Sequence, residues 1–236
     1  MISERKVAVI TGASQGIGAS LVTAYRDCGY RVVATARSIR QTSDDQVLAV
    51  PGDIRERKTA ERAIAEGLDR FGRIDTLINN AGIFIAKPFT QYTTADFSDV
   101  LGVNLAGFFH ITQLAIAEME KRRCGHVVQI TTSLVEHANS DVPSVLASLS
   151  KGGLSAATKS LAIEYAKLGI RINAVAPGII NTPMHPPEAH AQLAKLHPLR
   201  RMGEVSEIVS AILYLESANF VTGETIHVDG GQSAGH

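Results

Sequence analysis

Residues 6–18 read Lys6-Val7-Ala8-Val9-Ile10-Thr11-Gly12-Ala13-Ser14-Gln15-Gly16-Ile17-Gly18. The apolar, β-branched run without alternation predicts a strand, Lys6–Ile10, buried on both faces. Glycines then crowd the next stretch, and a helical period runs from Ile17 to Asp27. A strand that turns through glycines into a helix brings bare backbone up to a ligand. The helix start offers unpaired N–H groups and the positive end of its dipole, which suits a pyrophosphate. Gly12 permits the tight turn, Gly16 the close approach, and Gly18 the packing of helix on strand. Ser14, Gln15 and Ile17 belong to the same turn and are grouped with them as candidate cofactor contacts.

Outward from this turn the same texture repeats. Further strands are predicted at Arg31–Thr35, Val47–Val50, Thr76–Ile78, His126–Ile130, Arg171–Val175 and Thr225–Val228. Helices are predicted at Arg57–Phe71, Phe97–Lys121, Leu154–Lys167 and Val205–Leu215. The interval Arg37–Gln46 is short and polar, and a helix there is doubtful. Apolar strands alternating with amphipathic helices predict an α/β fold, a Rossmann-type doubly wound parallel sheet of about seven strands. No repeat or linker divides the chain, so residues 1–236 are read as one domain.

The 236 residues suit one such domain. Hydrophobic residues make up 45% and charged residues 19%, enough apolar surface to exclude disorder. With 23 basic and 23 acidic side chains the formal net charge is zero, and no basic stripe or tryptophan platform points to nucleic acid. Apolar runs fall short of the roughly 18 residues a membrane span needs. The opening Met1-Ile2-Ser3-Glu4-Arg5-Lys6 has no apolar leader, which predicts a cytoplasmic protein. Cys28 and Cys124 form neither a metal pattern nor a disulfide framework and read as reduced thiols.

The spacing Thr11-Gly12-x-x-x-Gly16-x-Gly18 resembles the signature of the short-chain dehydrogenase/reductase family, and other marks of that family follow in order. They are Asn79-Asn80-Ala81-Gly82, Asn104 within Val103-Asn104-Leu105, Ser133 after the fifth strand, and Lys151 within Ser150-Lys151-Gly152-Gly153. Pro177-Gly178-Ile179-Ile180-Asn181-Thr182 comes after the sixth strand, and Val228-Asp229-Gly230-Gly231 near the end. The resemblance implies a dinucleotide-dependent oxidoreductase. By it, Asp53 and Ile54 contact the adenine, and Asn80, Ala81 and Gly82 line the cofactor cleft. Thr182 and the backbone at Ile180 hold the carboxamide, and Pro177 and Gly178 are grouped with them as cofactor contacts.

Charge argues for which dinucleotide. A carboxylate at the end of the second strand would repel a 2′-phosphate, but the chain reads Ala34-Thr35-Ala36-Arg37-Ser38 there. Arg37 can pair with a phosphate, assisted by Ser38 and Arg40, which favours NADP(H) over NAD(H).

The family's catalytic group is Asn, Ser, Tyr and Lys, with the last two as Tyr-x-x-x-Lys on one helix. The resemblance implies that Asn104, Ser133 and Lys151 are catalytic here: Ser133 polarises a carbonyl, Lys151 holds ribose and water, and Asn104 supports the relay. The tyrosine position, however, is Ala147, and none of Tyr25, Tyr30, Tyr92, Tyr165 and Tyr214 replaces it. The Ser133-to-Ala147 interval is also slightly longer than the family's usual one. Four readings remain open: an enzyme with a substitute donor, water or His137; an imine or iminium reductase needing no acid; a cofactor-binding pseudoenzyme; and an engineered Tyr-to-Ala variant.

Residues 184–198 resemble the family's variable substrate lid, with a short helix predicted at Glu188–Leu196. His185, His190 and His197 lie here without the spacing of a helical metal pair, so no metal is predicted. With Leu134, Val135, Val142 and Val145 the lid forms a mostly apolar pocket for a small carbonyl compound or alcohol. The resemblance also implies a homotetramer, or a homodimer, built on the two long helices.

Overall fold

The computed structural model describes residues 5–235; the leader reading at Met1–Glu4 falls outside them. Seven strands form one all-parallel sheet: β1 (Val7–Thr11), β2 (Arg31–Ala36), β3 (Val47–Pro51), β4 (Thr76–Asn79), β5 (Gly125–Ile130), β6 (Ile170–Pro177) and β7 (Thr225–Val228). Their spatial order is β3-β2-β1-β4-β5-β6-β7. The order reverses at β1, which pairs with β2 on one side and β4 on the other. A crevice opens there at the carboxyl ends of the strands, directly above the glycine turn.

The sheet is covered on both faces because its strands are apolar on both. Val7, Val9, Leu77, Val127 and Ile172 face α2 (Arg57–Phe71), α4 (Gly107–Arg122) and α5 (Val145–Tyr165), against Ala63, Ile111, Ala115 and Ala162. Ala8, Ile10, Ile78, Val128 and Val175 face the other way. They meet Leu21 and Tyr25 of α1 (Gly16–Asp27) and Ile208 and Ile212 of α7 (Val205–Ser217). The period of two along each strand delivers alternate residues to the two cores. No helix forms between β2 and β3.

Two helices depart from expectation. The stretch predicted as one helix is α3 (Thr94–Leu101), a π-helical turn over Gly102–Ala106, and then α4. Thr93 and Asp96 cap its start reciprocally. The combined span Thr94–Arg122 is 29 residues and contains an 18-residue window of mean hydropathy 1.6, long and apolar enough to cross a membrane by length and composition. This exceeds the short apolar runs read from the sequence. Its apolar content is divided between a face packed on the sheet (Ile111, Ala115, Met119) and exposed Phe97 and Phe109. The second departure is α5, which starts at Val145 rather than Leu154. Gly153 there comes so close to Leu105 that an added Cβ would lie 3.3 Å from its side chain. Packing against the π turn offsets the poor helix propensity of adjacent glycines.

At the opposite end of the strands from the crevice, the Glu216 carboxylate accepts from Tyr25 Oη (3.1 Å), Tyr30 Oη (3.0 Å) and Thr76 Oγ1, and pairs with His126 Nδ1 at 2.9 Å. Burial works to raise its pKa, but these partners overcome it and hold the carboxyl at about 2. The cluster ties α7 to α1, β4 and β5.

Candidate active site

The glycine turn is clamped from β4. Thr11 Oγ1 accepts from the backbone N–H of Asn80 (3.1 Å) and of Ala81 (2.9 Å). Asn80 Nδ2 donates to the carbonyls of Thr11 (2.9 Å) and Gly12 (3.2 Å). Asn80 and Ala81 thus frame the turn. Gly12 has φ +65°, in the left-handed region. A Cβ at Gly18 would run into the Gly12 carbonyl and lie 2.6 Å from Asn80 Nδ2. The α1 N-terminus that follows has no side-chain cap, so its first N–H groups remain available to an anion. Across the opening from Gly16 stands Thr182, 3.5 Å from where a Gly16 Cβ would sit. An uncapped helix start under a glycine turn, walled by Thr182, fits a dinucleotide diphosphate.

Arg37 and Ser38 are exposed in the turn after β2. The Ala13 N–H donates to the Thr35 carbonyl at 3.2 Å, which ties the glycine turn to that strand end. Asp53 accepts from the Arg55 backbone (3.0 Å), Nε (3.0 Å) and Nη2 (2.7 Å). Those Arg55 hydrogen bonds hold its pKa low against the effect of burial, with the Arg37 charge adding to them. Ile54 is buried against Gly107. It borders a cavity of about 10 Å³ that Thr11, Asn79 and Asn104 also line, enough for one water.

Lys151, Asn104 and Gly82 converge at the crevice. A Cβ on Gly82 would lie 3.0 Å from Lys151 Nζ and 3.4 Å from Asn104 Oδ1. Lys151 is buried in α5, and its ammonium donates to the Ile130 carbonyl at the end of β5 (2.6 Å). Burial lowers its pKa to about 8. Asn104 sits in the π turn. Its Oδ1 accepts from the Ile83 N–H (2.9 Å), while Nδ2 donates to the Ile83 carbonyl (3.1 Å) and Ser150 Oγ (3.0 Å). Both amide protons are therefore committed, and one Oδ1 lone pair remains for a water. Ser150 Oγ passes its own proton to the Leu146 carbonyl (2.8 Å). Ala147, buried, lies one helical turn before Lys151.

Ser133 is fully buried, and its hydroxyl donates to Gln232 Oε1 at 2.8 Å. Gln232 was not among the residues singled out in the sequence. It lies 99 positions from Ser133, with no local pattern linking the two. The His137 backbone N–H donates to the Ser133 carbonyl at 3.0 Å, one turn past the serine.

Of the three histidines of residues 184–198, His185 and His190 are in contact and His197 has other partners. His190 Nε2 is 3.0 Å from the His185 carbonyl. His197 is buried and accepts from the Ile179 N–H at 2.9 Å, and burial pushes its pKa down. It anchors the loop carrying Gly178 and Ile180. The helix predicted at Glu188–Leu196 is a 3-10 turn, Pro187–Ala189, followed by α6 (His190–Ala194). Of the apolar wall, Leu134 is buried and Val145 exposed. No cluster of metal-ligating side chains occurs among the described residues.

A family model described as enoyl-(acyl carrier protein) reductase matches residues 12–233. L-fucose dehydrogenase of Mus musculus is 33% identical, over 98% of this chain and 89% of its own length. The 3-oxoacyl-[acyl-carrier-protein] reductase FabG of Thermotoga maritima is 34% identical, over 97% of this chain and 98% of its own. A solved structure of ElxO with NADP bound superimposes with TM-score 0.90 at 28% identity, covering 98% of this chain and all of ElxO. Matches of this extent, on a sheet that reverses above an uncapped glycine turn, place the chain in the short-chain dehydrogenase/reductase family of NAD(P)-dependent oxidoreductases.

Proposed function

We propose that the chain is an NADP(H)-dependent oxidoreductase for a small carbonyl compound or alcohol, working without the family's tyrosine acid. The observation that carries this is the convergence of buried Lys151 and Asn104 on Gly82, below the open start of α1. The dinucleotide, when bound, supplies or takes up the hydride. The first N–H groups of α1 receive its diphosphate, and Thr182, Ile180 and Gly178 border its reactive end. Lys151 holds the ribose hydroxyls and a water, which Asn104 Oδ1 supports and which serves as proton donor in place of a phenol at Ala147. Ser133 meets the substrate oxygen, and residues 184–198 close over it. His137, one turn from Ser133, is the runner-up donor.

Arg37 supports NADP(H), because no carboxylate accompanies it from Ala34 to Arg40 and its guanidinium is exposed beside the turn. The solved ElxO structure carries NADP. Wild type is expected to bind NADPH more tightly than NADH and to oxidise it with at least one of a panel of small ketones, quinones and imines. Arg37→Ala is expected to weaken NADPH roughly 10- to 100-fold and leave NADH unchanged. Unaltered NADPH affinity in the mutant removes the preference. A wild type that binds neither nucleotide overturns the whole reading.

Exposed apolar side chains support a homotetramer, with a homodimer as the alternative. Phe109 of α4, Leu149 and Ile163 of α5, Tyr214 of α7 and Phe220 beyond it are exposed apolar side chains, Ile163 at 79% and Phe220 fully. Sedimentation at micromolar concentration is expected to show four subunits, and a monomer contradicts it.

A further inference from the structure

The hydrogen bond between Ser133 and Gln232 decides what Ser133 can offer a substrate. A serine hydroxyl has one proton and two lone pairs. Here the proton goes to Gln232 Oε1 at 2.8 Å, between two side chains no more than 1% exposed. Gln232 is held rigidly. The Asp229 carboxylate accepts from the Gly231 N–H (3.0 Å) and the Ser233 N–H (2.7 Å), and the Asp229 carbonyl accepts from the Gln232 N–H (3.2 Å). A serine whose proton is committed keeps only lone pairs for a further partner.

We propose that Gln232 is a positioning residue that makes Ser133 a hydrogen-bond acceptor toward the substrate, so that the site prefers a ligand bearing a hydroxyl or N–H over a bare carbonyl. The inference rests on the oxidoreductase reading above and refines its substrate class. Ala147 adds to it, since no phenol is present to donate to a carbonyl in Ser133's stead. A carbonyl ligand must detach Ser133 from Gln232 before it gains a donor, whereas an alcohol finds the acceptor already aimed.

Two non-reacting probes test this by equilibrium binding, using the full-length protein saturated with cofactor. They are 2,2,2-trifluoroethanol on the NADP+ complex and N,N-dimethylacetamide, whose carbonyl accepts and which has no N–H, on the NADPH complex. Gln232→Met releases the Ser133 proton at nearly constant volume. It is expected to weaken trifluoroethanol and tighten N,N-dimethylacetamide, each by about tenfold. Gln232→Glu, ionised, can only accept and is expected to behave as wild type. A merely structural role would move both affinities in one direction or neither, and either result overturns the proposal. So does a Gln232→Glu protein that shifts as the methionine variant does, because accepting the Ser133 proton would then not be what sets the preference; a methionine variant that leaves both affinities unchanged beside a shifted glutamate variant would mean that the wild-type amide donates through Nε2. A wild type that binds neither probe refutes it as well. Failure of the cofactor reading is distinct, because it appears as absent NADPH binding in the wild type.

Discussion

Lys151→Met is expected to lower NADPH-dependent turnover by about a hundred- to a thousandfold while leaving the protein folded. The ammonium is the one charge at the convergence with Asn104 and Gly82, and a thioether can hold neither ribose hydroxyl nor water. The wild-type rate is expected to fall as pH rises through about 8, where buried Lys151 loses its proton, and the mutant's residual rate to lack that limb. A wild-type profile that is level across pH 8, or a mutant with full turnover, sinks the assignment. Stability should run the opposite way. Burial depresses the folded pKa to about 8 from 10.5. Between these values the unfolded chain holds the extra proton, so this group lets stability rise with pH across that window. Below pH 8 the folded, unliganded protein carries the full cost, about 3 kcal/mol. The mutant's thermal midpoint at pH 7 is therefore expected not to drop.

Ala147→Tyr should have the largest effect in the other direction. The position is one turn before Lys151 on α5, which would set a phenol beside the ammonium and lower its pKa. Reduction of a carbonyl substrate at neutral pH is expected to rise about a hundredfold, with NADPH affinity unchanged. A folded variant with no gain would show that Ala147 does not stand where the family places its acid. Near-ultraviolet circular dichroism separates that outcome from misfolding.

The sheet was legible because its strands are continuous apolar runs bounded by glycine, proline or charge, and each appears within about two residues of its predicted span. The start of α5 was not. Ser144 to Gly153 is rich in serine and glycine, and its helical state comes from contacts such as Gly153 on Leu105, which no local pattern encodes. The π turn was likewise hidden inside an unbroken helical period. At the site, the glycine turn and Lys151 carried recognisable spacing. Asn80 was read as a cleft residue and Asn104 as a catalytic one supporting the relay; that their amides donate to the backbone of Thr11, Gly12 and Ile83 was not legible. His197 was read only as one of three histidines in residues 184–198; that it is buried and accepts from the Ile179 N–H was not legible, because a histidine's neighbours are set by tertiary packing. Gln232 was invisible, since its partner is distant in sequence and an amide near a chain end has no distinguishing context.

The turn at Gly102–Ala106 has a consequence for how the helix is inherited. A π turn holds one residue more than the α turn it interrupts. The flanking segments keep their sheet-facing sides in phase only while that surplus residue is kept. Drift along α3 and α4 can exchange side chains freely, but loss of a residue there would straighten the rod and swing Asn104 off Ile83 and Ser150. The span is therefore counted from within, and its tolerance for indels should be lowest where its hydrogen-bond ladder is least regular.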